Sequence, residues 1–400
     1  MRKIVASLAL GTLLTLTACS GRADGVNVEL LAGGGTDPEG TGEQAKIPAA
    51  MYRMTSDGKG GVWGLAPYSI IEISAEGDVN TTEVELQGLG PASRIREIAA
   101  TSDGRVYVLP DLLIQREEKA VVFEFVDEEL QPVVGVPRPD AEERGPLSSD
   151  GSLARDADLG YVHDIAVDSE DRLLILERID PPGSAAGFQV RRVEHDGTLV
   201  TVAGTHSPHP GGPFSDEAAE RAAYPPDGSD ASSLVIHEAT AIAGGADESV
   251  YLQTTRSVLA IEDGMVRRIL GGGNQMPPAP DGGPFEEGTD ASSVAYHVGL
   301  PGSLSVNAEG EVLTRMDPVP QHDEDAYAWQ LTGGGGRAQS IADASAQESS
   351  TTTIYTSADG EAMIASLVGG GATWLDETTF AIRTSHKDEG AIIVLADVHT

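Results

Sequence analysis

Three histidines stand at matching places in the chain. His237 and His297 each follow an aspartate by seven residues, inside two near copies, SDASSLVIHEATAIA (229–243) and TDASSVAYHVGLPGSLS (289–305), and His163 lies in VHDIAV. If the fold brings three imidazoles to one rim, they form a set able to hold a divalent ion or to move a proton. The plainer use is hydrogen bonding to loop backbone. No fixed ligand spacing of the zinc-site kind decides between the two, so the metal stays unknown. Arg96, close to Arg94, is the candidate for an anionic ligand, or else forms a rim ion pair with Glu97 or Asp164. No residue is assigned as catalytic and no cofactor is assigned, because G-x-S-x-G and H-E-x-x-H are both absent. HSPH (206–209) sits in a Pro/Gly stretch, PDGSD and DEDA lack the EF-hand spacing, and the glycine runs lack the lysine or helix start of a phosphate cradle.

The elements that must position these residues are strands. From Val162 to Thr205 the chain reads VHDIAV, RLLILER, FQVRRVE and TLVTVAG, separated by polar turns, and HDG joins the last two as a two-residue Asp-Gly hairpin would. Four antiparallel strands of this size make one twisted sheet, and looser versions of the pattern recur along the chain. First strands open at 51, 95, 162, 239, 302 and 371, which predicts an all-β fold, a six-bladed β-propeller. Seven blades is the alternative count, since AYAWQLT lies unassigned in an insertion at 318–350. VNVELLAGGG (26–35) ends as the fourth strands do but has no three strands before it, whereas GATWLDETT, FAIRTS and GAIIVLADV at the other terminus lack a fourth. The ring is therefore predicted to close with the N-terminal strand, which leaves no free sheet edge. With 48 glycines, 23 prolines and 4% aromatic residues, the composition suits many short strands and turns rather than long helices.

Net charge is −37. Such a field repels phosphate backbones and anionic headgroups, so nucleic acid is excluded as a partner, and the membrane is met only through the N terminus. There, MRKIVASLALGTLLTLTAC has the charged start and short apolar run of an export signal. Leu16-Thr17-Ala18-Cys19 resembles the bacterial lipobox, which makes Cys19 the lipidated residue. The expected organisation is 1–18 as lipoprotein signal peptide, 19–25 as tether and 26–400 as one propeller domain, monomeric and lipid-anchored on the extracytoplasmic face of the cell membrane.

DGSLARDADLGYVHDIAVD (150–168) with HDGTLVTVAGT resembles the NHL repeat, whose units run from a Gly/Asp-rich loop into a strand of the type G-I-A-V-D and finish in T-V-A-G. GGPFSDEAA and DGGPFEEGTDASS repeat the loop signature, while Asp164 stands where the repeat usually has glycine and Val162 where it usually has proline. The resemblance implies a binding or scaffold module for a protein, peptide or glycan of the cell envelope. The alternative is a metal-dependent propeller enzyme resembling the streptogramin or peptidyl-hydroxyglycine lyases, with His163, His237 and His297 as ligands or bases.

Overall fold

In a computed structural model the described residues are 27–33, 35–37, 40–48, 51–84, 95–111, 122–135, 147–179, 187–205, 225–271, 304–316, 337–338, 352–356, 361–366, 372–376, 379–386 and 389–396. Their strands form six sheets. After β1 (Asn27–Gly33), the first blade holds β2 (Arg53–Ser56), β3 (Val62–Ala66), β4 (Ser69–Ile73) and β5 (Val79–Glu83). The second holds β6 (Ile95–Ala100), β7 (Val106–Pro110), β8 (Val122–Val126) and β9 (Glu129–Val134), and the third β10 (Tyr161–Val167), β11 (Leu173–Ile179), β12 (Gly187–Val193) and β13 (Leu199–Ala203). The fourth adds an outer strand β14 (Ser229–Asp230) to β15 (Ala239–Gly244), β16 (Val250–Thr254), β17 (Ser257–Glu262) and β18 (Met265–Gly271). β19 (Leu304–Val306), β20 (Val312–Met316), β21 (Arg337–Ala338), β22 (Thr352–Thr356) and β23 (Glu361–Ser366) make the fifth. The sixth combines β24 (Ala372–Trp374), β25 (Phe380–His386) and β26 (Glu389–Ala396) with β1, whose register runs from Asn27 opposite Ala396 to Gly33 opposite Ala391. The chain is thus a β-propeller closed by its N-terminal strand.

One turn repeats in every blade. The innermost strand passes to the second through a bond from the first turn residue to the carbonyl four residues on: Asp57 to Gly61, Thr101 to Arg105, Asp168 to Arg172, Gly245 to Ser249, Asn307 to Glu311 and Leu375 to Thr379. Asp57, Asp168 and Asn307 also accept two backbone N–H groups with the side-chain oxygen, which sets the turn locally. Fourth strands end on glycines of positive φ, Gly33 (111°), Gly135 (83°), Gly204 (91°) and Gly271 (83°). A Cβ on Gly204 would lie 2.6 Å from the Phe188 carbonyl oxygen, so glycine there is a steric requirement.

The hairpin expectation needs correcting. Of His195, Asp196 and Gly197 only Gly197 has positive φ, and the Glu194 N–H bonds the Thr198 carbonyl, which makes a three-residue loop with a bulge rather than a two-residue turn. The two-residue form occurs instead at Asp127-Glu128 (φ 51° and 66°) and Asp263-Gly264 (φ 51° and 73°).

The core lies between blades. Leu65 and Ile70 of the first blade pack with Ile98 and Val108 of the second; Leu109 and Val122 of the second pack with Val162 and Ile175 of the third; Leu174 and Val190 of the third pack with Ile242 and Leu252 of the fourth. Segments entering the first, third and fourth blades dock along the outer edge of the blade they lead into. Gly42, Ala154 and Ala231 each open a short 3-10 turn and donate to Gly77, Gly197 and Gly264 of that blade's outer hairpin. Two of these turns also accept from the end of the preceding blade, Ala154 from Gly135 and Ala231 from Gly204. They cover exposed strand edges and staple neighbouring sheets.

Candidate functional site

The six innermost strands surround a channel of about 290 Å³, lined by residues of β2, β6, β10, β15, β19 and β24. Each of these strands runs from the end where the connection from the previous blade arrives to the end with the tight turns. Near the first end, β6, β10 and β15 carry a bulge, at Ile95/Glu97, Val162/Asp164 and Ala239/Ala241. The bulges turn two residues per blade to special use.

In the first two blades a side chain at this end latches the next blade. Tyr52 donates its hydroxyl to the Ile95 carbonyl, and Arg96 donates from Nη2 to the Val162 carbonyl at 3.4 Å. Ile95 and Val162 stand at the same place in consecutive blades. His163 occupies the position of Arg96 one blade on, and its ring meets Phe188 edge to face at a centroid distance of 5.0 Å.

The residue after the bulge faces the next blade across the channel wall. By register with the second strand, Arg53, Glu97, Asp164 and Ala241 are equivalent, opposite Leu65, Leu109, Leu176 and Gln253. Arg53 donates to both oxygens of Glu97, Nε to Oε2 at 2.5 Å and Nη2 to Oε1 at 3.0 Å. Arg96 reaches the same carboxylate only at 3.8 Å, and its Nε is buried without a hydrogen-bond partner. Asp164 accepts from the N–H of Ile242 in the fourth blade at 2.7 Å and from its own neighbour Ile165 at 3.0 Å. Burial first, and the Glu97 carboxylate second, push the Asp164 carboxyl up to about 8, against the opposing pull of the Ile242 N–H, Arg53 and Arg96. Three blades in succession therefore place ionisable groups in one buried layer at the connection end.

Below that layer the wall changes character. Thr55, Ser305 and Thr373 present hydroxyls from the first, fifth and sixth blades, while Ala99, Ala166 and Ala243 stand at the matching level of the other three. At the turn end, Ser102 of the second blade gives its N–H and hydroxyl to Asp171 of the third, at 2.7 and 2.6 Å. Arg172 joins the third and fourth blades there, bonding Asp168 at 2.8 Å and Glu248 at 2.7 Å.

The sequence candidates distribute as follows. Arg96 lies beside the charged layer and His163 packs on Phe188 at the bulge. His237 follows Ile236, whose carbonyl receives the Phe188 N–H, and is partly buried. His297, Arg94, AYAWQLT and Cys19 lie outside the described residues. Among the described residues no group of three His, Cys, Asp or Glu side chains is placed to hold a metal ion. The duplicated Asp-Ala-Ser-Ser stretch has a local role in its first copy: Asp230 caps the 3-10 turn by accepting from the Ser232 N–H, and Ala231 is buried against the outer hairpin. Arg53 was missed by the sequence reading. The signal that finds it is the alignment of RMTS, EIAA and DIAV, whose leading residues are all charged.

No protein-family profile matches the chain, and no curated protein matches it. Among solved structures it is similar to a streptogramin B lyase, with 10% identity over 92% of this chain and 98% of that one and a TM-score of 0.41. It is also similar to a gluconolactonase from Xanthomonas campestris, with 11% identity over 88% of this chain and 87% of that one and a TM-score of 0.44. A protein of unknown function from Bacteroides thetaiotaomicron has 12% identity over 93% of this chain and 76% of its own, with a TM-score of 0.45.

Proposed function

We propose that this chain is a lipid-anchored extracytoplasmic propeller, a binding module that holds a peptide, protein or glycan of the cell envelope at the connection end of its channel. One observation carries the reading: Arg53, Glu97 and Asp164, from three consecutive blades, converge in a buried layer on an open channel. Buried charge is costly to a fold, and the equivalent place in the fourth blade holds the small, uncharged Ala241. A costly polar layer beside an open cavity is the ordinary form of a ligand site. The lipobox at Leu16 to Cys19 and the NHL-like loops support the location and the module class.

The test is a screen of detergent-solubilised full-length protein on glycan and peptide arrays, beside Thr55→Phe, which fills the channel just below the charged layer. Binding should be lost in the variant while its melting temperature stays near that of the parent. Ligands retained at full strength by a folded Thr55→Phe protein would move the site away from the channel.

A further inference from the structure

The outer edges of the stapled blades are finished in two ways. In the third and fourth blades an aspartate four residues ahead of the 3-10 turn lays its side chain along the last strand: Asp150 accepts from the Thr201 N–H at 3.0 Å and Asp227 from the Arg268 N–H at 2.8 Å. Each carboxylate takes the place of one carbonyl of a further strand, so the edge donor is satisfied. Thr201 and Arg268 lie four residues past Gly197 and Gly264, whose carbonyls receive the staples. In the first blade the staple runs from Gly42 to Gly77, which makes Thr81 the equivalent donor. The residue four ahead of Gly42 is Pro38, whose side chain has no acceptor. The outer strand β9 of the second blade is blunted by other means, with Pro132 beside a bulge at Val122/Phe123.

The orientation of β5 follows from its bonds. The Asp78 carbonyl accepts from the Ser74 N–H and the Val84 N–H donates to the Tyr68 carbonyl, so even-numbered residues face β4, while Val79, Thr81 and Glu83 turn their backbone groups outward. β5 is the last strand of its sheet, and among the described residues nothing pairs with the outward groups of Thr81 and Glu83. Residues 69–83 carry Glu72, Glu76, Asp78 and Glu83, all exposed, and no lysine or arginine. Tyr68, 52% exposed, stands at the far end of the edge beside Val84.

We propose that the open edge of β5 docks an extended, basic segment of a partner protein, which adds a strand beside Thr81 and Glu83. Backbone groups supply the pairing, the carboxylates select the charge of the segment, and Tyr68 offers an apolar contact at its end. Register puts Glu83 on the sheet face of Thr81, and Glu72 opposite Asn80 on the other face. A lysine or arginine at either set of alternate positions in the added strand therefore meets a carboxylate. A second copy of this chain would bring like charges together, in a molecule of net charge −37. The site lies on the outermost strand of its blade, whereas the channel is lined by innermost strands, so it stands apart from the channel reading.

The experiment selects displayed random dodecapeptides on the full-length protein in detergent, then measures the enriched sequences as labelled synthetic peptides by fluorescence anisotropy. Lysine and arginine should be enriched at alternate positions, and raising salt from about 0.05 to about 0.5 M should weaken binding by about tenfold. Thr81→Pro removes one outward N–H and keeps the pairing with β4, so it should fold and bind about tenfold more weakly. Thr81→Val keeps that N–H and should bind as the parent does. Glu83→Lys alters only an exposed side chain and should also weaken binding by about tenfold, which reads the site even where the proline variant does not fold. Parent-like affinity in Glu83→Lys, or in a folded Thr81→Pro protein, would overturn the inference. So would enriched peptides with no basic bias, or no enrichment at all. A concentration-dependent dimer of the parent in sedimentation, lost in Thr81→Pro, would give the edge to a second copy and overturn it as well.

Discussion

Arg53 and Glu97 meet across the first and second blades in a two-bond pair, with side chains 14% and 8% exposed. The pair ties the innermost strands of the two blades directly to each other. Removing one partner leaves a buried charge, so Glu97→Gln should cost about 3–5 kcal/mol in urea unfolding. Arg53→Met/Glu97→Met together should recover most of that loss. A double variant as unstable as the single one would show that the pair contributes net stability and not only mutual compensation.

Asp164 makes stability depend on pH with a definite sign. Between its ordinary 3.8 and its folded value of about 8, the native chain keeps a proton that the unfolded chain releases. Its contribution is complete below about pH 4 and is lost as pH rises through 8, by an amount on the order of a few kcal/mol. In Asp164→Asn, which still offers an acceptor to the Ile242 N–H, the unfolding free energy between pH 5 and 8.5 should run flatter than in the parent. Parallel curves would mean that Asp164 ionises normally.

Much of the architecture was legible because it is local. Period-two strands, turn residues and the glycine that ends four of the fourth strands are written in a few consecutive residues, and the closing strand betrays itself by sharing its ending with TVAG and ILGG. The turn at His195 to Gly197 was misread because Asp-Gly serves two loop types, and φ at Asp196 alone separates them. The site was less legible. Histidine attracts attention by its chemistry, and His163 meets Phe188 edge to face, while Arg53 and Glu97 are common residues whose meaning arises only when register places them on adjacent blades. β21, a two-residue strand pairing parallel with β23, carried no sequence signal at all.

The staple motif gives a third prediction. Asp230 holds its 3-10 turn through the Ser232 N–H at 2.9 Å, and the turn in turn seats Ala231 against Gly264. Asp230→Ala should cost about 1 kcal/mol. Ala231→Leu, which overfills a fully buried position, should cost about 1–3 kcal/mol. Denaturant midpoints compare them directly, and an Ala231→Leu protein as stable as the parent would show that the segment only rests on the blade.

Location is tested at the N terminus. Wild type should be processed and follow the detergent phase, whereas Cys19→Ala should lose lipidation and stay unprocessed. Metabolic labelling with a fatty-acid analogue and detergent partitioning read the two steps. Equal labelling of both proteins would sink the lipobox reading, and the channel chemistry would stand untouched.

Ring closure permits the sharpest separation of parts. β1 supplies the outer strand of the last blade, pairing along β26 from Ala391 to Ala396, and Ala32 is buried in the cluster that joins the sixth and first blades. Deleting residues 26–35 removes that strand from the sheet, leaves the β26 edge unpaired and uncovers the cluster holding Leu375 and Ala381. Two losses act together, since hydrogen bonds on one edge and apolar contacts between two blades disappear in one step. The expected outcome is aggregation, or loss of more than half of the unfolding free energy. Deleting only residues 20–25, which precede β1, should leave unfolding unchanged. A 26–35 deletion that melts with the parent would mean that the sixth blade holds without its outer strand, and that the ring is fastened by the blade-to-blade packing of β24 against β2 and β19 instead.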